Sequence, residues 1–177
     1  MKINPYYTHQ KYLTKELSKL DYRKPVRVLE FGIGDGSSSI FSDFTQRYSN
    51  LEAHSYESDL SWHHNMSKKY ATKNYNFHHV DSWDELVKDN KSLTHMYDLV
   101  FVDTDPFQSR IDIINLVRNN AKVIILHDFG FYNKGVITDL WSVGNGSFFK
   151  KLLGRDFIME PNHEIDPGTL VLRNKRL

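Results

Sequence analysis

The sequence predicts a doubly wound α/β fold: a mostly parallel sheet with helices on both faces, closed by a C-terminal antiparallel hairpin. Three observations lead there. Two apolar runs without alternation, Tyr97-Asp98-Leu99-Val100-Phe101-Val102-Asp103 and Ala121-Lys122-Val123-Ile124-Ile125-Leu126-His127, have the pattern of central parallel strands covered on both faces. Between them Ile111, Ile114 and Val117 recur every three residues, as a crossover helix requires. Earlier, Val26-Arg27-Val28-Leu29-Glu30-Phe31-Gly32-Ile33-Gly34-Asp35-Gly36 reads as strand, glycine turn and helix start.

The remaining elements follow in order. Residues 8 to 20 carry Tyr12, Leu13, Leu17 and Leu20 at helical spacing behind Thr8 as an N-cap, a helical lead-in that Asp21 to Pro25 ends. Ile40, Phe41, Phe44 and Tyr48 mark one face of a helix from Ser38 to Tyr48, whose N-terminus turns backbone N–H groups toward any ligand at the glycine turn. Glu52 to Glu57 is a short second strand, Leu60 to Tyr70 a helix, and Tyr75 to Val80 a third strand. Ser82, three residues before Glu85, forms a capping box that opens another helix. Val136, Leu140 and Val143 fit a helix in an otherwise glycine- and aromatic-rich stretch. Asp156 to Glu160 and Thr169 to Arg173, around a turn at Asp166-Pro167-Gly168, make the closing antiparallel pair.

Composition narrows the function classes. The 177 residues suit one domain, spanning 1–177 with residues 1–24 as its lead-in. Lys plus Arg number 23 and Asp plus Glu 22, so no basic field points to nucleic acid. There is no cysteine, hence no disulfide, thiolate metal site or cysteine nucleophile. The start lacks the apolar core of a signal peptide and no apolar run reaches the roughly 20 residues of a membrane helix, so the expected location is cytoplasmic.

The glycine turn is expected to bind an adenine-bearing cofactor. A dinucleotide fingerprint needs its third glycine three positions after the second, where Ser37 stands. Glu30-Phe31-Gly32-Ile33-Gly34-Asp35-Gly36 instead resembles motif I of the class I S-adenosylmethionine (SAM) methyltransferases. That resemblance implies a Rossmann-like fold and SAM held at Glu30, Gly32, Ile33, Gly34 and Gly36. Ligands of such sheets bind beyond the carboxyl ends of the strands, so the acids there carry the argument. Glu57 lies roughly 20 residues past the turn, where an acid accepts hydrogen bonds from ribose hydroxyls, although a surface glutamate would fit the same pattern. Asp81 follows the third strand, where the family commonly places an acid against the adenine amino group, with Ser82 and Trp83 beside it. Asp81 equally fits a helix cap, and Trp83 a core residue.

The fourth and fifth strands add a finer resemblance. Val102-Asp103-Thr104-Asp105-Pro106-Phe107 and Leu126-His127-Asp128-Phe129 are similar to the Ile-Asp-Gly-Asp-His and His-Asp-Tyr signatures of small O-methyltransferases acting on sugars, antibiotics and related hydroxyl compounds. Several relatives, catechol O-methyltransferase among them, hold a divalent cation at these strand ends. Carried over, the ligands are Asp103, His127 and Asp128; Thr104 and Pro106 depart from the signature, and His127 in place of a carboxylate suits Mn²⁺ better than Mg²⁺. The alternative is that no metal binds, Asp103 contacts cofactor or substrate, and His127 acts as base. The resemblance thus implies methyl transfer from SAM to a hydroxyl of a small molecule, with Asp103 and His127 as the catalytic pair. Asp105-Pro106-Phe107 is also similar to the Asp-Pro-Pro-aromatic motif of amino-group methyltransferases, which keeps N-methylation as the second reading, and a non-catalytic SAM-binding subunit as a third. The aromatic-rich segments Met1 to Lys24 and Phe129 to Lys151 suit an acceptor pocket or a homodimer surface.

Overall fold

The computed structural model describes residues 7–89, 93–133, 136–139, 154–162 and 168–177, with backbone alone at 130–133 and 136–139. In chain order the elements are α1 (Gln10–Leu17), β1 (Val26–Phe31), α2 (Asp35–Arg47), β2 (Leu51–Glu57), α3 (Leu60–Tyr70), β3 (Tyr75–His79), α4 (Trp83–Lys88), β4 (Leu99–Val102), α5 (Phe107–Val117), β5 (Val123–Leu126), β6 (Gly130–Asn133), β7 (Val136–Asp139), a short turn α6 (Gly154–Asp156), β8 (Phe157–Asn162) and β9 (Thr169–Asn174). Seven strands form one sheet in the order β3-β2-β1-β4-β5-β9-β8. The first five are parallel, and β9 runs antiparallel to both β5 and β8. The Rossmann-like sheet with its closing hairpin is therefore present as read from the pattern.

Strand alternation divides the core in two. Val26, Val28, Leu99, Phe101, Ile125 and Val171 face α1 and α2, packing against Tyr12, Leu13, Leu17, Phe41 and Phe44. Their neighbours Leu29, Phe31, Val100, Val102, Ile124 and Leu126 face the other way, onto Trp83 and Leu86 of α4 and Ile111, Ile114 and Val117 of α5. Because β1, β4 and β5 bury both faces, their sequences read as continuous apolar runs. Residues 103 and 127, just beyond β4 and β5, continue the alternation of Phe101 and Ile125 and so belong on the α1 face.

Two expectations are corrected. Thr8 does not cap α1: the helix starts after His9, and the Thr8 hydroxyl is spent on His127 instead. Val136 lies in a strand rather than a helix, because the run Val136-Ile137-Thr138 is β-branched and pairs antiparallel with Gly130–Asn133. Leu140, Val143 and the Asp166-Pro167 turn fall outside the described residues. Among the described residues no helix is long and apolar enough to cross a membrane.

The lead-in is pinned at both ends. Near the amino edge of the sheet Arg173 of β9 makes a bidentate pair with the buried Glu16 of α1, at 2.6 and 2.9 Å, and also grips Glu160. Lys19 adds a bond of 2.7 Å to the same Glu16. Removing the guanidinium leaves a buried carboxylate with one exposed partner. We expect Arg173→Ala to lose roughly 2–3 kcal/mol of stability, the low end for a broken buried pair because Lys19 remains. Urea unfolding of the Arg173→Ala and Glu16→Gln double-mutant cycle measures it, and additive single effects would refute the coupling.

Candidate functional site

The glycine turn after β1 is built from below. Glu30, at 1% exposure, points into the α1 and α2 side of the sheet, where it accepts hydrogen bonds from Ser37 at 2.5 Å, Tyr75 at 2.5 Å, Ser38 at 3.2 Å and Ser55. Burial pushes its carboxyl up to about 7 against the pull of these hydroxyls. Glu30 therefore braces the turn and the first turn of α2 from beneath. The family resemblance placed it among the residues holding cofactor; the structure buries it under them.

Gly32 is the position where only glycine serves. Its φ is +81°, and a Cβ there would stand 2.2 Å from the Asp103 carbonyl oxygen. The close approach lets β1 and β4 end side by side. Gly36 is needed for a different reason than ligand approach: a Cβ would meet Tyr7 at 2.6 Å, so this glycine lets the lead-in lie against α2. Gln10 closes that contact by donating to the Gly36 carbonyl at 3.0 Å. Gly34 is the extended residue at the cap of α2.

Beyond the turn two cavities adjoin. One of about 340 Å³ is lined by Gly32, Ile33, Glu57, Asp103, Thr104 and Asp105 among others. The second, about 570 Å³, shares Ser58, Trp83 and Asp105 with the first and extends past Asp81, Ser82 and Pro106. Glu57 is held by three backbone donors, Ile33 at 3.0 Å, Ser58 at 2.7 Å and Asp59 at 2.9 Å. These N–H groups orient a carboxylate that has capacity for about one further donor. Trp62 on α3 donates to the Ile33 carbonyl at 2.6 Å and so ties α3 to the same turn. Asp81 is 86% exposed on the wall of the larger cavity. The Ser82 hydroxyl caps α4 through Glu85 N–H at 3.2 Å, and the Trp83 indole, otherwise buried, donates to the Asp105 carbonyl at 3.1 Å. Trp83 is thus core and cavity wall at once.

Asp103, His127 and Asp128 do meet at the carboxyl edge, together with groups the sequence did not single out. His127 Nδ1 lies 3.0 Å from Asp103 Oδ2, and its Nε2 lies 3.0 Å from the Thr8 hydroxyl. The ring is only 3% exposed, so His127 does not face the cavity. Asp103, 23% exposed, does. Buried Arg110 of α5 organises the rest: it donates to the carbonyls of Thr104 at 2.5 Å and His127 at 2.6 Å, and one nitrogen reaches both Asp103 Oδ1 at 3.0 Å and Asp128 Oδ2 at 3.4 Å. Burial disfavours ionised Asp103, but the His127 hydrogen bond and the charges of His127 and Arg110 outweigh it and hold the carboxyl below its ordinary value. Burial and the charge of Asp103 raise Asp128 instead, and Asp128 takes a left-handed φ of 51°. His9 packs edge-on against His127, ring centroids 4.4 Å apart.

Of the three residues carried over as metal ligands, Asp103 and His127 belong to a group whose donor atoms lie within 4.8 Å of one another, but the third member of that group among the described residues is His9 and not Asp128. Arg110 already supplies the positive charge between Asp103 and Asp128, using one oxygen of each. Sequence reasoning missed Arg110 because it sits one residue before the apolar spacing of α5 and reads as the solvated edge of a helix. Thr8 and His9 were read only as part of a lead-in.

No protein-family model and no curated protein matches the sequence. Solved structures do match the fold. Human methyltransferase-like protein 13 in complex with SAH superposes with a TM-score of 0.65 at 16% identity, covering 94% of this chain and 81% of that one. A putative rRNA-methylase from Clostridium thermocellum gives 0.64 at 10% identity, covering 98% and 99%. The precorrin-6y C5,15-methyltransferase from Geobacter metallireducens gives 0.60 at 16%, covering 98% and 92%. At these identities the likeness is one of fold.

The Glu30 brace has a pH signature. Its folded-state carboxyl titrates near 7 rather than 4.5, so its contribution is fully present below 4.5 and is lost as the pH rises through 7. The stability of wild type relative to Glu30→Gln should therefore fall by about 3 kcal/mol between pH 4.5 and 7.5. Parallel urea titrations across that window check it; a constant difference would mean that Glu30 titrates normally.

Proposed function

We propose that the chain is a SAM-dependent methyltransferase that transfers a methyl group to a hydroxyl of a small molecule. The observation that carries the reading is the lining of one cavity by the Gly32 turn, the backbone-oriented Glu57 and the ionised Asp103. The fold it shares with proteins crystallised with SAH supports the cofactor. In this reading Gly32, Ile33 and Gly34 receive the amino-acid end of SAM, Glu57 takes a ribose hydroxyl, and Asp81, Ser82 and Trp83 surround the adenine. Bound there, SAM would supply an electrophilic methyl group on a sulfonium sulfur, which departs as a neutral thioether.

The chain's own residues do the positioning. Asp103 accepts the hydrogen bond of the acceptor hydroxyl, which aims an oxygen lone pair and holds the acceptor in line. As the new C–O bond forms, the hydroxyl proton passes to Asp103 and leaves by its exposed side. His127 and Arg110 keep that carboxylate fixed, so His127 is a positioning residue rather than one that touches the acceptor. The low-lying carboxyl also favours a second reading. A weak base is a good counter-charge for a developing ammonium, which suits an amino-group acceptor. The acceptor class is separated by offering hydroxyl and amine congeners and identifying the methylated product. A SAM-binding subunit without activity would bind the cofactor but turn over none of them.

Calorimetry with SAM and its demethylated product tests the cofactor. Glu57→Ala should weaken both by roughly 10- to 150-fold, about 1.5–3 kcal/mol for lost charge-assisted bonds. Unchanged affinity would remove Glu57 from the site, and binding of a nicotinamide dinucleotide in place of SAM would overturn the reading. For turnover, Asp103→Asn should cost about 10²–10⁴-fold with little change in SAM affinity. Because Asp103 is held below its ordinary value, wild-type activity should persist on the acid side to below the usual carboxylate range. His127→Ala should move that acid limb upward, a shift that a merely structural histidine would not produce.

A further inference from the structure

The cluster at the carboxyl edge contains a side chain that methyl transfer does not use. His9 is 2% exposed, and neither of its ring nitrogens has a hydrogen-bond partner among the described residues. A buried imidazole with two idle nitrogens forfeits the bonds that it would make in water, so its place needs a reason. One ring nitrogen of His9, one of His127 and one carboxylate oxygen of Asp103 lie within 4.8 Å of one another. We propose that His9, Asp103 and His127 form a binding site for a divalent transition ion of the Zn²⁺ class, with Asp128 excluded from it.

The donor set selects the ion. Two imidazoles and one carboxylate suit Zn²⁺ and its first-row neighbours, whereas Mg²⁺ and Ca²⁺ prefer oxygen throughout. Donors bonded at about 2.0–2.1 Å in a tetrahedral site stand roughly 3.3 Å apart, so donors now up to 4.8 Å apart close by as much as about 1.5 Å on binding. The surroundings leave the right atoms available. Arg110 engages Asp103 through Oδ1, which leaves Oδ2 toward His127 Nδ1. Thr8, 3.0 Å from His127 Nε2, is the outer partner that fixes the ring. Without an ion, a proton on Nδ1 donates to Oδ2 across 3.0 Å. Binding turns both atoms to the ion, and the ring proton moves from Nδ1 to Nε2, where it donates to Thr8.

The ligands come from three places: the residue before α1, the end of β4 and the end of β5. An ion there staples the lead-in to the sheet edge. Of the three residues Asp103 is the partly exposed one, so the ion enters from the cavity side and keeps its open position there. The inference stands whether or not the cavity takes SAM.

The test uses the full chain, stripped with chelator and then loaded with Zn²⁺ or Co²⁺. After desalting we expect one retained ion per chain by elemental analysis, a visible Co²⁺ absorption of a low-coordinate site, and a melting temperature raised by the ion. His9→Gln and Asp103→Asn, chosen to keep side-chain size, should each lose retention at least tenfold. Asp128→Asn should keep it, and so should His54→Gln, which controls for the other close histidine pair, the half-buried His54 and His78 with ring nitrogens 2.9 Å apart. Circular dichroism of each variant confirms folding, and SAM calorimetry on the same samples separates failure of the ion site from failure of the cofactor reading. No retained ion in wild type overturns the proposal. So does retention unaffected by His9→Gln, or retention lost in Asp128→Asn.

Discussion

The buried guanidinium of Arg110 is the constraint on which the carboxyl edge depends. Burying a charge costs several kcal/mol unless its donors are met, and here they meet two backbone carbonyls and two carboxylates at the ends of β4 and β5. The carbonyl bonds fix where the chain leaves each strand; the carboxylate bonds fix where Asp103 and Asp128 sit. Phe107 lies under the guanidinium, 4.5 Å from its centre, and shields it on the remaining side. Together with His127 on the second oxygen, the same cation makes Asp103 an anion held from two sides. Arg110 favours the ionised form of both acids; they behave oppositely because burial and the charge of Asp103 raise Asp128, while the His127 hydrogen bond helps to hold Asp103 ionised.

A second buried charge-bearing group acts at the glycine turn, by different means. Among the described residues Glu30 meets no cation; it is surrounded by hydroxyls from β2, β3 and α2. Hydroxyls can donate to a carboxylate and accept from a carboxylic acid, so this network tolerates either protonation state while keeping the turn in place. Gly32 then meets the Asp103 carbonyl with no room for a side chain. The turn and the acid cluster are thereby joined through one backbone contact, which couples the two halves of the candidate site.

The fold was legible because its signals are local and redundant. Doubly buried strands, a glycine turn and a crossover helix each leave a pattern in consecutive residues, and β4, β5 and α5 appeared where those patterns stood. Val136 misled because it stands at helical spacing with Leu140 and Val143, while the strand it joins is paired with Gly130–Asn133, a partner that the spacing does not show. The site was legible only in part. Glu57, Asp103, His127 and Asp128 announce themselves as polar residues ending apolar strands. Glu30 shows the same surface feature, yet its side chain points inward, and only the hydroxyls of Ser55 and Tyr75 from other strands reveal that. Arg110, Thr8 and His9 gain their meaning from contacts across the fold, more than a hundred positions away in the case of Thr8 and His127. No window of sequence contains such pairs.

The position of β9 bears on how the protein is made. It follows both β5 and β8 in the chain but lies between them in the sheet. While a ribosome delivers the chain, the ladder groups of β5 stay unpaired on that side until residues 169–174 emerge, long after the parallel part of the sheet is complete. Arg173, the partner of buried Glu16, arrives in the same segment. A nascent chain stalled before this strand therefore presents an apolar edge and an incompletely anchored first helix, a species that chaperones would recognise and that would self-associate if left alone.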